Sequence, residues 1–394
     1  MSKGDDISTL KALGTPSQLQ LGFIGGGLSS SIGQSHFSAC QMDSRWKVVS
    51  GCFSHSKETG IATAKAWCLS EDRMYECWQQ FIQSEKEKLD AVVVLAPSPN
   101  HSEIIIELLK NNVPIISEKP LVATVKEAKL IYKSLNSSAG FLAVTYNYSG
   151  YPMVRELKER VKDGEFGDLI NLQFEMPQEV FLRIDPATGQ LVKSQNWRLK
   201  DGEIPTICLD LGVHLHHLAY FISGKRVLET AAEFSNNSAH EGLIDDVMMW
   251  LKYEGGMKAS FWMSKSALGY RNGLRLRVYG TKASAEWLQS EPEDMRISYN
   301  DGSRVILDRA TTSILCGDAR YNRYRAGHPS GFIEAFANLY SDIADDLIAY
   351  RESGRQENPF VFGIDHSLHG LELFSAAVQA NNLSQWVDLP NSDS

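Results

Sequence analysis

Glu118-Lys119-Pro120 is the first of two groups of residues whose types could do chemistry. It directly follows residues 113–117, a short apolar run of the kind that forms a buried strand. A lysine placed there lies at the carboxyl edge of a sheet, where open α/β folds bind ligands. The proline biases Lys119 toward an extended backbone, so the ammonium group can hang over the crevice. This motif predicts a lysine that acts on a bound ligand.

The second group lies in the helical pattern of residues 210–217. On a helix, Asp210, His214 and His217 share one face, while His216 points elsewhere. A histidine oriented by a carboxylate is a good general base, because its usual pKa lies near neutrality and the carboxylate stabilises the imidazolium. Two alternatives stay open: a metal site built from the same three side chains, and a histidine-rich face that only packs. We predict no metal, because no Cys or His cluster offers the further ligands.

The elements that must position these groups show two different patterns of strand-like and helical segments along the chain. Short apolar runs occur at 20–24, 46–52, 91–96, 114–116 and 141–145, with helical patterns between them, among them 101–111 and 124–135. Such alternation predicts a parallel, doubly wound sheet. Later strand-like runs occur at 169–175, 247–253, 257–263, 274–280 and 283–287, and helical patterns at 151–162, 331–353 and 363–380. We therefore predict an α/β chain with an N-terminal Rossmann sheet over 18–146 and a C-terminal α+β domain over 147–394, whose open sheet is mostly antiparallel.

A glycine turn follows the first apolar run. A dinucleotide fingerprint uses one glycine for the tight turn, a second for close approach to a pyrophosphate and a third for close helix–strand packing. Gly25, Gly27 and Gly33 suit these roles, although three extra residues separate the second from the third. The alternative is a turn that binds no ligand. The preceding strand and the following β–α rhythm favour nucleotide binding.

The segment after the second apolar run bears on the choice of cofactor. An NAD-preferring site usually places Asp or Glu there to bind the ribose hydroxyls. This chain has no carboxylate between residues 48 and 57, and Phe53 stands at the acidic position. The next four side chains can donate hydrogen bonds to a 2′-phosphate: Ser54, His55, Ser56 and Lys57. We expect NAD(P) binding with a preference for NADP; the alternative is a plain surface loop that accepts either cofactor.

Composition narrows the class of protein. The chain has 394 residues, and its 39 Lys and Arg stand against 48 Asp and Glu, a net charge of −9. No basic run is present, so we expect neither a nucleic-acid nor a membrane partner. The six cysteines form no C-x-x-C pair, and residues 1–20 are polar. These features predict a globular cytoplasmic protein with reduced thiols.

Together, these motifs resemble those of the Gfo/Idh/MocA family, named for glucose–fructose oxidoreductase, inositol dehydrogenase and rhizopine catabolism. The resemblance runs from residue 21 to the last helices, in the family's order and approximate spacing. It is carried by Gly25-x-Gly27 with Gly33-Gln-Ser-His36, by Ala96-Pro-Ser-Pro-Asn-His101, by Glu118-Lys119-Pro120, by Asp210-x-Gly212-x-His214, and by residues 279–287 and 327–340.

The resemblance implies a two-domain NAD(P)-dependent dehydrogenase that acts on a sugar or cyclic polyol. By position, Lys119 would bond the reacting oxygen, His214 would exchange its proton, and Asp210 would orient His214. The expected cofactor-binding residues are Gly25, Gly27, Gly33, Ser54, Lys57, Ala96, Pro97, His101 and Glu118. The expected substrate-pocket residues are Asn147, Trp197, Arg198, His217 and His328. The resemblance also implies a homo-oligomer, a dimer or tetramer, formed through the open sheet.

Three features depart from the family pattern. The glycine loop is longer, Pro205-Thr206 replaces the paired glycines before Asp210, and the acid after the second strand is missing. The first and third bear on how the cofactor is held, and the second on the shape of the substrate loop. None removes Lys119, Asp210 or His214.

The predicted pocket combines hydrogen-bonding groups with the flat faces of Tyr146, Tyr148 and Trp197. This mixture suits oxidation of a secondary hydroxyl on a polar ring, such as a pyranose or an inositol-like cyclitol. Two other functions stay open: a non-catalytic nucleotide-sensing regulator, and a glycoside hydrolase that uses a tightly held NAD transiently. Retention of the lysine, aspartate and histidine argues against the regulator.

Overall fold

The structure is a computed structural model that describes residues 18–138, 140–192 and 199–390. Its first sheet has five parallel strands in the order β2-β1-β3-β4-β5. They are β1 Leu19–Gly25, β2 Trp46–Cys52, β3 Ala91–Leu95, β4 Ile115–Ser117 and β5 Leu142–Val144. The strand order reverses between β1 and β3, which opens a crevice at the carboxyl ends of these two strands. The predicted doubly wound parallel sheet is confirmed.

Helices connect these strands. They are α1 Ser31–Gln41, α2 Lys57–Ala66, α3 Trp78–Glu85, α4 His101–Lys110 and α5 Val125–Ser138. Helix α1 begins where Ser30 Oγ accepts a hydrogen bond from the Gly33 amide at 3.1 Å, as an N-cap serine does. Helix α4 buries the apolar stripe that its spacing predicts, including Ile104 and Leu108. The amphipathic spacing thus fixes which side of each helix faces the sheet.

The second domain is built on a nine-stranded mixed sheet in the order β13-β12-β11-β10-β6-β9-β8-β7-β14. Only β6 and β9 pair in parallel, which confirms the mostly antiparallel sheet. The strands are β6 Leu169–Pro177, β7 Val227–Ser235, β8 Asp246–Tyr253, β9 Lys258–Ser264, β10 Arg275–Gly280, β11 Ala283–Leu288, β12 Met295–Tyr299, β13 Arg304–Leu307 and β14 Val387–Asp388. The helices are α6 Pro152–Lys162, α7 Val213–Ser223, α8 Phe332–Ser353 and α9 Ile364–Leu383.

Helix α8 packs on the first sheet although it comes late in the chain. Phe336 and Ile343 of α8 share one buried cluster with Leu21 and Phe23 of β1. Trp46 of β2 donates a hydrogen bond from Nε1 to a backbone oxygen of α8 at 2.8 Å. The division at residue 146 therefore follows the two sheets, but the core of the first domain includes a later helix. This packing joins the two domains around one crevice.

No helix within residues 18–138, 140–192 and 199–390 combines the length and apolar character needed to cross a membrane.

Candidate active site

One large cavity, of about 1080 Å³, lies where the carboxyl ends of the first sheet meet the second domain. Its first-domain wall includes the glycine turn 25–27, residues 52–55 after β2, residues 95–101 after β3, and Glu118-Lys119-Pro120 after β4. Its second-domain wall includes the end of β6, residues 200–204 and the start of α7. The cavity thus occupies the crevice that the strand order predicts.

The glycine turn forms a close-fitting cradle at one end of this cavity. Gly25 has φ +86°, a conformation that favours glycine, and an added Cβ would lie 2.6 Å from the Ala96 backbone nitrogen. Gly25 and Gly27 line the cavity. Gly33 does not line it, but a Cβ there would lie 1.9 Å from the Gly26 carbonyl oxygen, so α1 and the turn after β1 are in direct backbone contact. The three positions match the three glycine roles of a dinucleotide turn.

The region after β2 differs in part from the prediction. The Phe53 ring packs into an aromatic cluster with Phe23 and Trp67, at centroid distances of 6.3 and 5.2 Å. Ser54 and its neighbour His55 line the cavity. Lys57 does not line the cavity in this structure: its side chain is 68% exposed and lies 3.7 Å from Glu76.

The segments after β3 and β4 form part of the cavity wall, and His101 contacts both of them. Ala96, Pro97 and His101 line it. The two ring nitrogens of buried His101 lie 2.7 Å from the Ala96 carbonyl oxygen and 3.0 Å from the Leu121 carbonyl oxygen. Burial lowers the pKa of His101. The neutral ring has one N–H and donates a hydrogen bond to one of these two carbonyl oxygens, while it packs between both loops.

Glu118 lines the cavity and is held from behind. Its Oε2 lies 3.0 Å from Nε2 of fully buried His36, and Thr145 donates a short hydrogen bond to the same oxygen. The other ring nitrogen of His36 lies 2.6 Å from the Tyr340 hydroxyl of α8. This chain of contacts fixes the carboxylate at the cavity wall.

Lys119 and Asp210 meet across the domain boundary. Lys119 Nζ donates to the Asp210 backbone oxygen at 2.8 Å and to Asp210 Oδ1 at 3.3 Å. A second lysine, Lys265, donates to Asp210 Oδ2 at 2.6 Å. Lys265 was not predicted; its one signal in the sequence is that it directly follows the buried strand β9, much as Lys119 follows β4. One carboxylate therefore binds two ammonium groups.

His214 lines the cavity but is not held by Asp210. The residues Cys208–Gly212 form a π-helical turn, so the regular helical phase assumed for Asp210 and His214 does not apply. The Asp210 carboxylate turns to the two lysines, and His214 Nδ1 is buried with no hydrogen-bond partner in the described part of the chain. The prediction that Asp210 orients His214 through a hydrogen bond is wrong.

The environment of His214 sets its charge. Its side chain is only 4% exposed, and the Tyr148 ring meets it edge to face at 4.6 Å. Burial holds the pKa of His214 well below its usual value; the Lys119 charge acts in the same direction and the Asp210 charge opposes both. The imidazole is therefore neutral at neutral pH.

His217 lies behind the cavity wall. Its ring stacks on Tyr146 at 4.3 Å, and neither residue lines the cavity. Its Nδ1 lies 3.1 Å from His366 Nε2, and His216 Nε2 lies 2.9 Å from His369 Nδ1. These four buried or nearly buried residues form a histidine cluster between α7 and α9. The prediction of His217 and Tyr146 as pocket residues is wrong.

The other predicted substrate residues divide as follows. Asn147 lines the cavity, and its Nδ2 is buried without a hydrogen-bond partner among the described residues. His328 lies on an exposed loop away from the cavity, so its prediction is wrong. Trp197 and Arg198 lie outside the described residues. The lining residues of the second domain that were not predicted include Met176, Gln178, Asp201, Glu203 and Thr206.

No group of three or more His, Cys, Asp or Glu side chains in the described ranges has an arrangement that could hold a metal ion.

Comparison with known proteins agrees with this architecture. Residues 19–146 match the family model described as an oxidoreductase family with an NAD-binding Rossmann fold, and residues 154–286 match the Gfo/Idh/MocA C-terminal domain. The oxidoreductase YfiI of Bacillus subtilis is 26% identical over 94% of this chain and 96% of its own length. The myo-inositol 2-dehydrogenase of Thermotoga maritima is 26% identical over 71% of this chain and 74% of its own length.

A solved structure shares the whole fold. It is an inositol dehydrogenase homolog from Azotobacter vinelandii, in complex with NADH and myo-inositol. It superposes with a TM-score of 0.83 at 24% identity and covers 94% of this chain and 97% of its own. The fold, the glycine cradle and the two matched domain models lead to one conclusion: the chain belongs to the Gfo/Idh/MocA family and is an oxidoreductase with an NAD-binding Rossmann domain.

Proposed function

We propose that this protein is a dehydrogenase that oxidises a secondary ring hydroxyl of a sugar or cyclic polyol. The observation that carries the proposal is the meeting of Lys119, Asp210 and His214 at the cavity that the glycine turn also lines. A regulator that only senses a nucleotide has no use for a buried, neutral imidazole beside a lysine–carboxylate pair. The arrangement suits proton transfer.

The residues around the cavity fit a nicotinamide dinucleotide. An added Cβ would fill the cradle at Gly25, and the backbone amides of that turn suit a pyrophosphate. The unpaired amide of Asn147 offers a donor farther along the cavity, beside Glu118 and Lys119. When bound, such a cofactor supplies hydride transfer.

The chain's own residues would handle the proton. Lys119 donates to the oxygen of the reacting hydroxyl and stabilises the negative charge that develops on it. His214 accepts the proton, because burial keeps it neutral and its Nδ1 has no hydrogen-bond partner in the described chain. Asp210 holds the ammonium of Lys119 in place through two contacts. This division of roles keeps proton transfer on His214 and charge stabilisation on Lys119.

The second-domain wall favours a neutral polyol. Gln178, Thr206 and Glu203 line it, and the Tyr148 ring offers a flat face. Amides, hydroxyls and carboxylates pair with several ring hydroxyls, whereas the carboxylates disfavour a phosphorylated ring. The Thermotoga relative is named an inositol dehydrogenase, and the Azotobacter homolog was solved with myo-inositol; both support a cyclitol or sugar.

We also propose that NADP(H) binds at least as tightly as NAD(H). Ser54 and His55 line the cavity after β2, where an acid would repel a 2′-phosphate. Ser29, Ser30 and Ser31 line the same end. The hydroxyls and the imidazole suit a phosphate better than a carboxylate would.

The open outer face of the second sheet supports a homo-oligomer. Trp250 of β8 and Ile306 of β13 point out from this face and are 43% and 61% exposed. A second copy would cover them. Light scattering of the purified chain at several concentrations tests this: a monomer at all of them would contradict the oligomer without affecting the proposed reaction.

The substrate test is a screen of inositols, aldoses and anhydro-sugars with both NAD and NADP, followed by the absorbance of the reduced nicotinamide. We expect turnover of at least one cyclic polyol and almost none of cyclohexanol or linear alcohols, which leave the polar wall unpaired. His214→Asn should lose this turnover, and His328→Asn is its matched control, because His328 is exposed and outside the cavity. Efficient turnover of hydrophobic alcohols alone would contradict the substrate class.

A further inference from the structure

Lys265 is a buried lysine that the proposed reaction does not yet use. Its side chain is 2% exposed, and its ammonium lies 2.6 Å from Asp210 Oδ2. Lys119 binds the other carboxylate oxygen, Oδ1, at 3.3 Å and lines the cavity, whereas Lys265 does not line the main cavity. A single carboxylate thus stands between one lysine that lines the main cavity and one that is buried beside a second, smaller cavity of about 240 Å³.

The two lysines decide where the Asp210 carboxylate points. Without Lys265, Oδ2 would lose a charge-assisted contact. The negative charge of Asp210, which favours a protonated His214, would then be less compensated. His214 is flanked by Lys119, by Asp210, by Tyr148 of the loop after β5 and by His217 of its own helix. Of these groups, only Asp210 carries a charge that favours a protonated imidazole.

We propose that Lys265 is a positioning residue for proton transfer: it holds the Asp210 carboxylate toward the two lysines and away from His214. With its negative charge compensated in this way, Asp210 opposes less strongly the alkoxide character that a hydroxyl gains as it is oxidised. The kinetic part of this inference rests on the proposed dehydrogenase function; the electrostatic part does not.

The inference predicts opposite effects for two substitutions. In Lys265→Met, the carboxylate is less compensated and can turn to His214, so the imidazole should gain a proton at a pH higher by about one unit. In Asp210→Asn, the favourable charge is lost, so the imidazole should protonate at a lower pH than in the wild type. Lys265→Arg keeps the charge and should stay close to the wild type.

The test uses the full chain with isotopically labelled histidines. Nuclear magnetic resonance gives the protonated fraction of His214 at one acidic pH where all variants remain folded, and the signal lost in His214→Asn assigns it. Lys252→Met is the matched control, because Lys252 also forms an ion pair at 2.6 Å on this sheet, with Glu229, but lies outside the site. We expect a larger protonated fraction in Lys265→Met and an unchanged one in the control.

Equal protonation of His214 in the wild type and Lys265→Met would overturn the inference, as would a shift of the same size in Lys252→Met. If Lys265→Met does not fold, Lys265→Gln removes the charge and keeps a donor, and the same outcomes apply. For an active wild type, the acid limb of log kcat/KM against pH should move up by about one unit in Lys265→Met, because oxidation needs the neutral base. A wild type that turns over no cyclic polyol defeats the proposed function, while the labelled-histidine result still decides the role of Lys265.

Discussion

Replacement of Gly33 by alanine tests the glycine cradle without any knowledge of the substrate. A Cβ at this position would lie 1.9 Å from the Gly26 carbonyl oxygen and 2.4 Å from its carbonyl carbon. Real carbon atoms do not approach so closely, so the backbone of α1 must move away from the turn after β1. Because the atoms in conflict belong to the backbone, no side-chain rotation relieves the contact. Gly33→Ala should therefore disturb both the fold and the cradle.

The size of the effect follows from two opposing contributions. Alanine within a helix is favoured over glycine by about 1 kcal/mol. Overpacking a tight contact costs about 1–3 kcal/mol and more when the backbone must shift. We expect a net loss of about 1–2 kcal/mol in the free energy of unfolding for Gly33→Ala. Gly60→Ala is the matched control: Gly60 lies inside helix α2 with open space around it, so this variant should gain up to about 1 kcal/mol.

Denaturant unfolding gives the stability of both variants, and fluorescence titration with NAD(H) and NADP(H) gives the affinity. We expect the affinity of Gly33→Ala to fall at least about tenfold, equivalent to about 1.4 kcal/mol, with that of Gly60→Ala unchanged. Wild-type stability and affinity in Gly33→Ala would show that α1 and the turn are not packed as described. A loss of stability with unchanged affinity would show that the cradle does not bind the cofactor.

Three further predictions concern the cofactor, the base and acid stability. Ser54→Asp should shift the ratio of affinities toward NAD(H), since it places a carboxylate at the cavity wall; an unchanged ratio measured by fluorescence titration would contradict the proposed 2′-phosphate site. His214→Asn should reduce kcat by about two to four orders of magnitude with cofactor affinity unchanged, and near-normal turnover would assign the proton to Lys119. Burial lowers the pKa of each member of the histidine cluster, that of His369 to about 4, so the unfolded chain binds more protons than the folded one below about pH 6.5. The free energy of unfolding should therefore be constant from pH 7 to 8. Below about pH 6.5 it should fall by about 1.4 kcal/mol per pH unit for each such histidine. Denaturant unfolding curves that do not change down to pH 5 would contradict this prediction.

The parts of the fold that could be predicted are those set by local periodicity. The apolar stripe of α4 and the apolar run of β3 could be predicted, because the spacing of the apolar residues indicates which side chains are buried. The placement of Lys119 at the cavity also followed from local order, since it needs only a strand and the turn after it. Strand pairing and the return of α8 to the first sheet depend on distant segments, and the sequence carries no local mark of them.

The errors at the site have the same origin. Asp210 binds a lysine 55 residues later in the chain, and no spacing rule reveals such a partner. The π-helical turn changed the phase that had placed Asp210 beside His214. Lys57 follows Ser54 and His55 closely in sequence, but its exposed side chain lies beside Glu76 and not at the cavity. In each case, a contact made by the folded chain overrode a local pattern.

Stoichiometry tests the central claim most directly. The claim is that this oxidoreductase converts a ring hydroxyl to a ketone with net reduction of a nicotinamide. A cyclic polyol found active in the screen is incubated with the enzyme and excess oxidised cofactor, and ketone and reduced cofactor are counted in the same samples over time. We predict one reduced nicotinamide per ketone, and loss of both products together in His214→Asn. Product formation without net cofactor reduction would indicate the transient oxidation of a hydrolase, and tight cofactor binding with no product from any polyol would indicate a sensor.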